Sequence, residues 1–254
     1  MHPILFSFGP VHLYSYGVLV AIGVLGAVSL IRANAPRVSI EPLTVVDLAT
    51  TTVISGFAGA RILYVLQQWE YFRGSLIDMV KIWEGGIVLY GGLIGGLIGF
   101  SIFIWLKRLP FLSLLDIFVP GLALAQGFGR IGCFLNGCCY GKPSSVFWAV
   151  SFPFLDHKVH PTQLYEALFC FALSFALLAL LRLKFRSGTV AFVYFIAYPV
   201  GRFFLEFLRG DNPKVLLNLT LSQCLSISFT VLAVGISAIL RISSYDHKRN
   251  RSSA

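Results

Sequence analysis

The chain is short of charge: Asp, Glu, Lys and Arg make up only 12% of its 254 residues. That excludes a disordered chain, which is highly charged and poor in apolar residues, and falls well below the roughly one quarter found in soluble domains. Acidic residues are scarcest, 11 against 20 Lys and Arg, for a net charge of +9. No basic run interleaves with aromatics on a soluble segment, so the excess points to membrane lipids with anionic headgroups and not to nucleic acid. Cysteine is limited to Cys133, Cys138, Cys139, Cys170 and Cys224. The C-x4-C-C spacing lacks the paired C-x2-C knuckles of common zinc sites, and no Ser-His-Asp set or other metal motif stands out. No internal repeat is visible. The opening "MHPILFSFGPVHLYSYG" has neither a basic n-region nor a small-residue cleavage site, so the first helix reads as retained.

What the chain does have is apolar length, with hydrophobic residues at 57%. A bilayer needs about 20 apolar residues per helix, and seven stretches qualify, near 13–31, 43–66, 86–106, 112–129, 162–181, 188–208 and 221–240. The expected fold is an all-α integral membrane protein, a seven-transmembrane-helix bundle with a small loop region on its outer face. Residues 1–242 form the membrane domain and 243–254 a basic cytoplasmic tail expected to be disordered. With the N-terminus outside, the inside segments carry Arg32, Arg37, Lys107, Arg108, Arg182, Lys184, Arg186, Arg241, Lys248, Arg249 and Arg251. The outside segments carry Arg73, Lys81, Arg130, Lys142, Lys158, Arg209 and Lys214, spread over about twice the length, as the positive-inside rule requires.

Ionisable residues within spans are costly and mark function. In this orientation Arg61, Arg130, Glu166, Arg202 and Glu206 fall at the outer ends of their helices, with Tyr14, Tyr16 and Tyr90 at the same depth. Asp47 and Asp116 fall at inner helix ends, where a cap is the expected role. Arg202, Glu206 and Arg209 are spaced i, i+4 and i+7 on one helical face, either as a self-neutralising ion pair or as a phosphate site. Three arginines against two carboxylates leave positive charge over, which a phospholipid headgroup balances.

Glycine supplies the other signal. In "GGIVLYGGLIGGLIG", Gly95 and Gly99 read as close helix packing, whereas Gly91 and Gly92 beside Tyr90 read either as packing or as bare backbone for a ligand. In "GFGRIGCFLNGCCYGKP" the fourth span is expected to end at Arg130, after which the glycines at 129, 132, 137 and 141 let the chain turn and line a cavity. Zinc or a disulfide at Cys133, Cys138 and Cys139 is the competing reading of that loop.

These residues resemble the bacterial prolipoprotein diacylglyceryl transferase family. Its signature, approximately G-R-x-G-N-F-x-N-x-E-x-x-G, is matched in register by Gly129, Arg130, Gly132, Phe134, Asn136 and Gly141. "VHPTQLYEA" at 159–167, "GRFFLEFLRGD" at 201–211 and "YSYGVL" at 14–19 look like three further family blocks, so the likeness covers nearly the whole chain. Cys133 and Cys138 stand where the family often has Asn and Glu, and Tyr90-Gly91-Gly92 where it often has His-Gly-Gly.

The resemblance implies a bacterial inner-membrane enzyme that moves the diacylglyceryl group of phosphatidylglycerol onto the lipobox cysteine of a preprolipoprotein, releasing glycerol 1-phosphate. Arg130 and Arg202 would be catalytic, with Tyr90 positioning the phosphate or acting as base. Tyr16, Arg61, Gly91, Gly92, Asn136, Gly141, His160, Gln163, Glu206 and Arg209 would shape the lipid pocket. No cofactor or metal is implied. The rival readings are a non-catalytic lipid-binding or transport protein and a paralogue with an altered acceptor.

Overall fold

The computed structural model describes residues 2–8, 11–74, 76–81, 85–183 and 185–252. In chain order the elements are β1 (Ile4–Phe8), β2 (Val11–Tyr14), α1 (Ser15–Asn34), a 3-10 turn (Ala35–Val38), α2 (Pro42–Gln67), α3 (Trp69–Phe72) and α4 (Leu76–Val80). Then come α5 (Leu89–Lys107), α6 (Phe111–Asn136), β3 (Val150–Ser151), β4 (Lys158–Val159), α7 (Thr162–Arg182), α8 (Thr189–Glu206), β5 (Lys214–Leu216), β6 (Leu219–Thr220) and α9 (Leu221–Ser252). The strands form three separate antiparallel pairs, β1-β2, β3-β4 and β5-β6, so helix dominates.

Among the described residues six helices are long and apolar enough to cross a membrane: Ser15–Val38, Pro42–Gln67, Leu89–Lys107, Phe111–Asn136, Thr162–Arg182 and Thr189–Glu206. The seventh expected span begins in α9, where the described apolar stretch, Leu221–Gly235, is shorter. Helical backbone continues from there to Ser252, across the tail expected to be disordered. Many large apolar side chains face outward, Leu25, Ile54, Leu97, Leu168 and Phe175 among them. In lipid that exposure carries no cost.

The chain divides into two compact units, Ile31–Leu114 and the remainder, Met1–Leu30 with Leu115–Ala254. In the first, α2 packs on α5 through glycine. A Cβ on Gly59 would run into the Gly91 carbonyl oxygen and come 2.8 Å from Gly95 Cα, and one on Gly95 would run into the Ser55 carbonyl oxygen. A Cβ on Gly99 would strike the Ser55 side chain. The packing expected for Gly95 and Gly99 is therefore present, and it extends to Gly91, whose added Cβ would strike the Gly59 carbonyl oxygen and lie 2.6 Å from Leu63 Cβ. Of the two readings left open there, packing is the one met at Gly91, which α2 covers, while Gly92 makes only ordinary contacts, 3.6 Å from Ala60 Cβ.

In the second unit, Val119 and Ala123 of α6, Leu173 and Leu177 of α7 and Val190, Ala191 and Tyr194 of α8 form one buried cluster. Asp116 of α6 takes the backbone N–H groups of Gly188 at 2.6 Å and Ala191 at 2.8 Å, capping the start of α8, the kind of role expected for it. Ser174 of α7 donates to the Pro120 carbonyl oxygen at 2.7 Å, tying α7 to α6. The start of α9 is a reciprocal capping box in which the Thr220 N–H donates to Gln223 Oε1 at 3.0 Å and the Gln223 N–H to Thr220 Oγ1 at 3.3 Å.

Candidate functional site

The end of α6, the start of α7 and the end of α8 meet around buried charge. The sequence cue is a four-residue stripe on α8, Tyr194, Tyr198, Arg202 and Glu206, which repeats on one face of a helix. Glu166 of α7 is the hub: its Oε2 lies 3.0 Å from Arg130 Nε, its Oε1 lies 3.7 Å from Arg202 Nε, and the Tyr198 hydroxyl donates to Oε1 at 3.2 Å. Arg202 Nη1 sits 2.6 Å from Glu206 Oε2, yet neither atom has a well-aligned hydrogen-bond partner. The contact is thus an ion pair held by proximity and not a linear hydrogen bond. Glu206 Oε1 also accepts from Thr220 Oγ1 at 2.8 Å and from Asn212 Nδ2, which fastens the end of α8 to the start of α9.

Arg209 is neutralised separately. Its Nε and Nη2 donate to the two oxygens of Asp211 at 2.9 and 2.8 Å, a bidentate fork, while Glu206 is 3.9 Å away. Arg130, Arg202 and Arg209 therefore face Glu166, Glu206 and Asp211. The surplus of one positive charge expected from sequence is cancelled by Asp211. What remains available is not charge but donors: Arg130 uses Nε on Glu166, and neither of its Nη groups has a protein hydrogen-bond partner among the described residues. Its side chain is 22% exposed, against 9% for Arg202.

The segment after Arg130 differs from expectation. The helix α6 does not stop there but runs on to Asn136, so Gly129 and Gly132 are helical. Gly132 is needed for packing, since a Cβ there would lie 3.0 Å from Tyr16 Cδ2 and 3.3 Å from Tyr16 Cα. The turn begins at Gly137, whose φ of +81° suits glycine. Gly137 N–H bonds to the Phe134 carbonyl at 3.2 Å and Cys138 N–H to the Cys133 carbonyl at 3.1 Å, the paired bonds of a Schellman cap. Asn136 is exposed at the last helical position.

The loop is then clamped. Gly141 N–H donates to the His160 carbonyl at 3.0 Å, His160 N–H to Lys142 at 3.1 Å and Lys142 N–H to Leu208 at 2.8 Å. A Cβ on Gly141 would come within 2.6 Å of His160 Cβ and 2.9 Å of the Leu208 carbonyl oxygen, so only glycine fits between these strands of backbone. Gln163 Nε2 donates to the Cys138 carbonyl at 2.7 Å and Thr162 Oγ1 to that of Cys139 at 3.0 Å. Gln163 Oε1 is buried without a partner among the described residues. His160 Nδ1 lies 3.2 Å from the Tyr165 hydroxyl, which takes the Trp148 indole N–H at 2.5 Å. The thiols of Cys133, Cys138 and Cys139 gather here, and hydrogen bonds from Cys133 and Cys138, aided by Arg209 and Arg130, hold Cys139 below the usual thiol range.

Of the expected site residues, Tyr16, Arg130, Gly141, His160, Gln163, Arg202, Glu206 and Arg209 thus belong to one unit, as does Asn136. Arg61, Tyr90, Gly91 and Gly92 belong to the other. There Arg61 is buried, and its guanidinium is spent on backbone: Nε on the Met79 carbonyl at 2.8 Å, Nη1 on Gly85 at 2.5 Å and Gly86 at 3.0 Å, and Nη2 on Asp78 at 2.7 Å. It also stacks over Tyr64 and Phe72. Arg61 is therefore an anchor for the segment before α5, not a free ligand for phosphate. Tyr90 is half exposed in the first turn of α5. Sequence reasoning missed Tyr198, Asn212, Thr220 and Ser222, whose hydroxyl accepts from Arg202 Nη2 at 3.4 Å; only Tyr198 had a signal, the stripe on α8.

A family model described as prolipoprotein diacylglyceryl transferase matches residues 3–239. A phosphatidylglycerol-prolipoprotein diacylglyceryl transferase of Clostridium tetani is 39% identical over 244 residues, covering 93% of this chain and 96% of the relative. A protein of the same name from Staphylococcus epidermidis is 35% identical over 248 residues, 91% of this chain and 86% of its own. A phosphatidylglycerol-prolipoprotein diacylglyceryl transferase 2 of Clostridium perfringens is 36% identical over 220 residues, 85% of this chain and 86% of its own.

Proposed function

From the premise that the chain belongs to the prolipoprotein diacylglyceryl transferase family, we propose that it transfers the diacylglyceryl group of phosphatidylglycerol to the thiol of a preprolipoprotein lipobox cysteine. It is a multi-pass protein of the bacterial inner membrane. The thiol gives up its proton, the sulfur forms a bond to the glyceryl carbon that bears the phosphate ester, and that carbon–oxygen bond breaks. Glycerol 1-phosphate leaves with the electron pair.

Such a displacement needs a thiolate and a stabilised leaving phosphate. The observation that carries the reading is the free fork of Arg130. Its two Nη groups, which take no partner among the described residues, stand at the edge of a cluster whose other arginines are paired with Glu206 and Asp211. Planar guanidinium donors pair two phosphate oxygens at once, and they strengthen as charge develops on the leaving group. Arg202 acts from behind by fixing Glu166 and Glu206, and Glu166 in turn aims Arg130. Tyr16, Asn136, Gly141, His160, Gln163 and Arg209 shape the pocket. The decisive assay incubates the purified protein with phosphatidylglycerol and a lipobox peptide and weighs the peptide. A gain equal to a diacylglyceryl thioether is expected. Phospholipid binding without any modified peptide would leave only a lipid-binding protein.

The resemblance, and not the geometry of the arginine cluster, assigns Tyr90 the role of positioning the phosphate; within its own unit Arg61 holds the carbonyls of Gly85 and Gly86 just before α5. One hydrogen bond at a half-exposed position contributes about 0.5 to 1.5 kcal/mol, so Tyr90→Phe should slow transfer about two- to tenfold with an unchanged pH profile. An inactive Tyr90→Phe protein that still binds phosphatidylglycerol would make the phenol the base instead.

We further place a seventh span in α9, the N-terminus outside, the C-terminus in the cytoplasm and the site at the outer leaflet, on the strength of the basic-residue asymmetry. Ser39, exposed between α1 and α2, lies in an inside connection by this reading. A Ser39→Cys probe, in a chain whose native thiols are blocked beforehand, should take up a membrane-impermeant maleimide only after the cells are permeabilised. Labelling of intact cells would invert the topology.

A further inference from the structure

The transfer scheme above assigns no role to Cys133 near the end of α6 or to Cys138 and Cys139 just beyond it, and their placement has its own cause. In a Schellman cap the third residue from the helix end and the second residue beyond it come side by side, a contact that is ordinarily apolar. Here those two positions are Cys133 and Cys138. Cys139 then adopts a φ of +67°, unusual for a residue with a side chain. Adjacent side chains in extended backbone point to opposite sides, but this left-handed turn brings Cys139 Sγ to 3.4 Å from Cys138 Sγ. All three sulfurs lie within 4.8 Å of one another.

We propose that Cys133, Cys138 and Cys139 form a three-thiolate Zn2+ site that locks the loop to the end of α6. Zinc–sulfur bonds of about 2.3 Å in a tetrahedron put neighbouring sulfurs about 3.8 Å apart, so small side-chain shifts from the present positions satisfy an ion. The backbone that carries the two loop sulfurs is held in advance, because α7 grips the carbonyls of Cys138 and Cys139 through Gln163 at 2.7 Å and Thr162 at 3.0 Å. Three thiolates around Zn2+ make a site of net charge −1, and whatever protons the thiols still carry pass to solvent on binding. All three residues are only half buried, so the fourth position is left for water or an exogenous thiol.

Cys133 and Cys138 stand where the resembled signature often has Asn and Glu, so the site is a feature of this chain and not of that signature. Its role is to hold the loop whose backbone Gly141 and Lys142 clamp to His160 and Leu208.

The test is metal analysis of the full chain, purified in detergent under reducing, chelator-free conditions and exposed to Zn2+, beside a Cys133→Asn/Cys138→Glu variant. The wild type should hold roughly one zinc per chain, and the variant at least about tenfold less. Loading with Co2+ should give the sulfur-to-metal charge-transfer band and the intense visible bands of tetrahedral cobalt in the wild type alone. Zinc no higher than in the variant overturns the proposal. So does copper at stoichiometry in place of zinc, or an intact mass two hydrogens light before reduction, which is a disulfide. The mass assay for transfer, run on both proteins, separates this inference from the function. Transfer by the zinc-free variant supports a locking role, whereas zinc without transfer by the wild type would remove the proposed function and leave the site.

Discussion

Arg130→Lys is expected to lose about ten- to a hundredfold in kcat/KM for transfer while the protein inserts and folds normally. In the proposed reaction the guanidinium does two jobs with different atoms, Nε on Glu166 at 3.0 Å and the Nη pair, without a partner among the described residues, on a phosphate. A lysine ammonium is one point and cannot span both, so it stays with Glu166 or turns to the lipid. Charge-assisted hydrogen bonds are worth about 1.5 to 3 kcal/mol each, and losing one in the transition state gives the stated range. Arg202→Lys should cost less, about tenfold, because a lysine retains the pairing with Glu206 and loses mainly the 3.7 Å contact with Glu166 and the 3.4 Å bond to Ser222. Near-normal turnover in Arg130→Lys would mean that diffuse positive charge suffices, and the free fork would then carry no function.

The helices were legible because apolar length is a one-dimensional property, and six of the expected spans lie where composition put them. The boundaries were less so. Glycine was read as a signal to turn, but in lipid it also lets backbones approach, and Gly132 lies inside α6 against Tyr16 for that reason, whereas a Cβ on Gly129, also helical, would meet nothing within 4 Å. The same ambiguity hid the covering of Gly91 by α2. The charged face of α8 was legible from its i, i+4 and i+7 spacing, since helical geometry fixes which side chains are neighbours. Its charge balance was not. Asp211 lies beyond the end of α8, and its bidentate grip on Arg209 depends on the turn after the helix. Nor did sequence reveal that Arg61 spends itself on four carbonyls, because the acceptors belong to backbone that any residue supplies.

If Glu166 is the element that aims Arg130, its removal should affect stability and rate together, and through Arg130 more than through Arg202. Glu166 is 3% exposed, pairs with the Arg130 guanidinium at 3.0 Å and the Arg202 guanidinium at 3.7 Å, and accepts the Tyr198 hydroxyl. Glu166→Gln keeps the shape but leaves two cations with one fewer anion in a site that water barely enters. Breaking a buried pair from one side costs about 3 to 5 kcal/mol, and the partial exposure of Arg130 argues for the lower end. At about 2 to 4 °C per kcal/mol for a chain of this size, the thermal midpoint in detergent should fall by roughly 6 to 12 °C. Transfer should fall at least as far as in Arg130→Lys, since the fork is then free to swing. A double-mutant cycle divides the effect. The 3.0 Å partner should couple to Glu166 by about 2 kcal/mol and the 3.7 Å partner by less than about 1, measured with Arg130→Gln and Arg202→Gln. Equal couplings, or a Glu166→Gln protein as stable and active as the wild type, would show that Glu166 merely fills space between the helices and that Arg130 is aimed by something else.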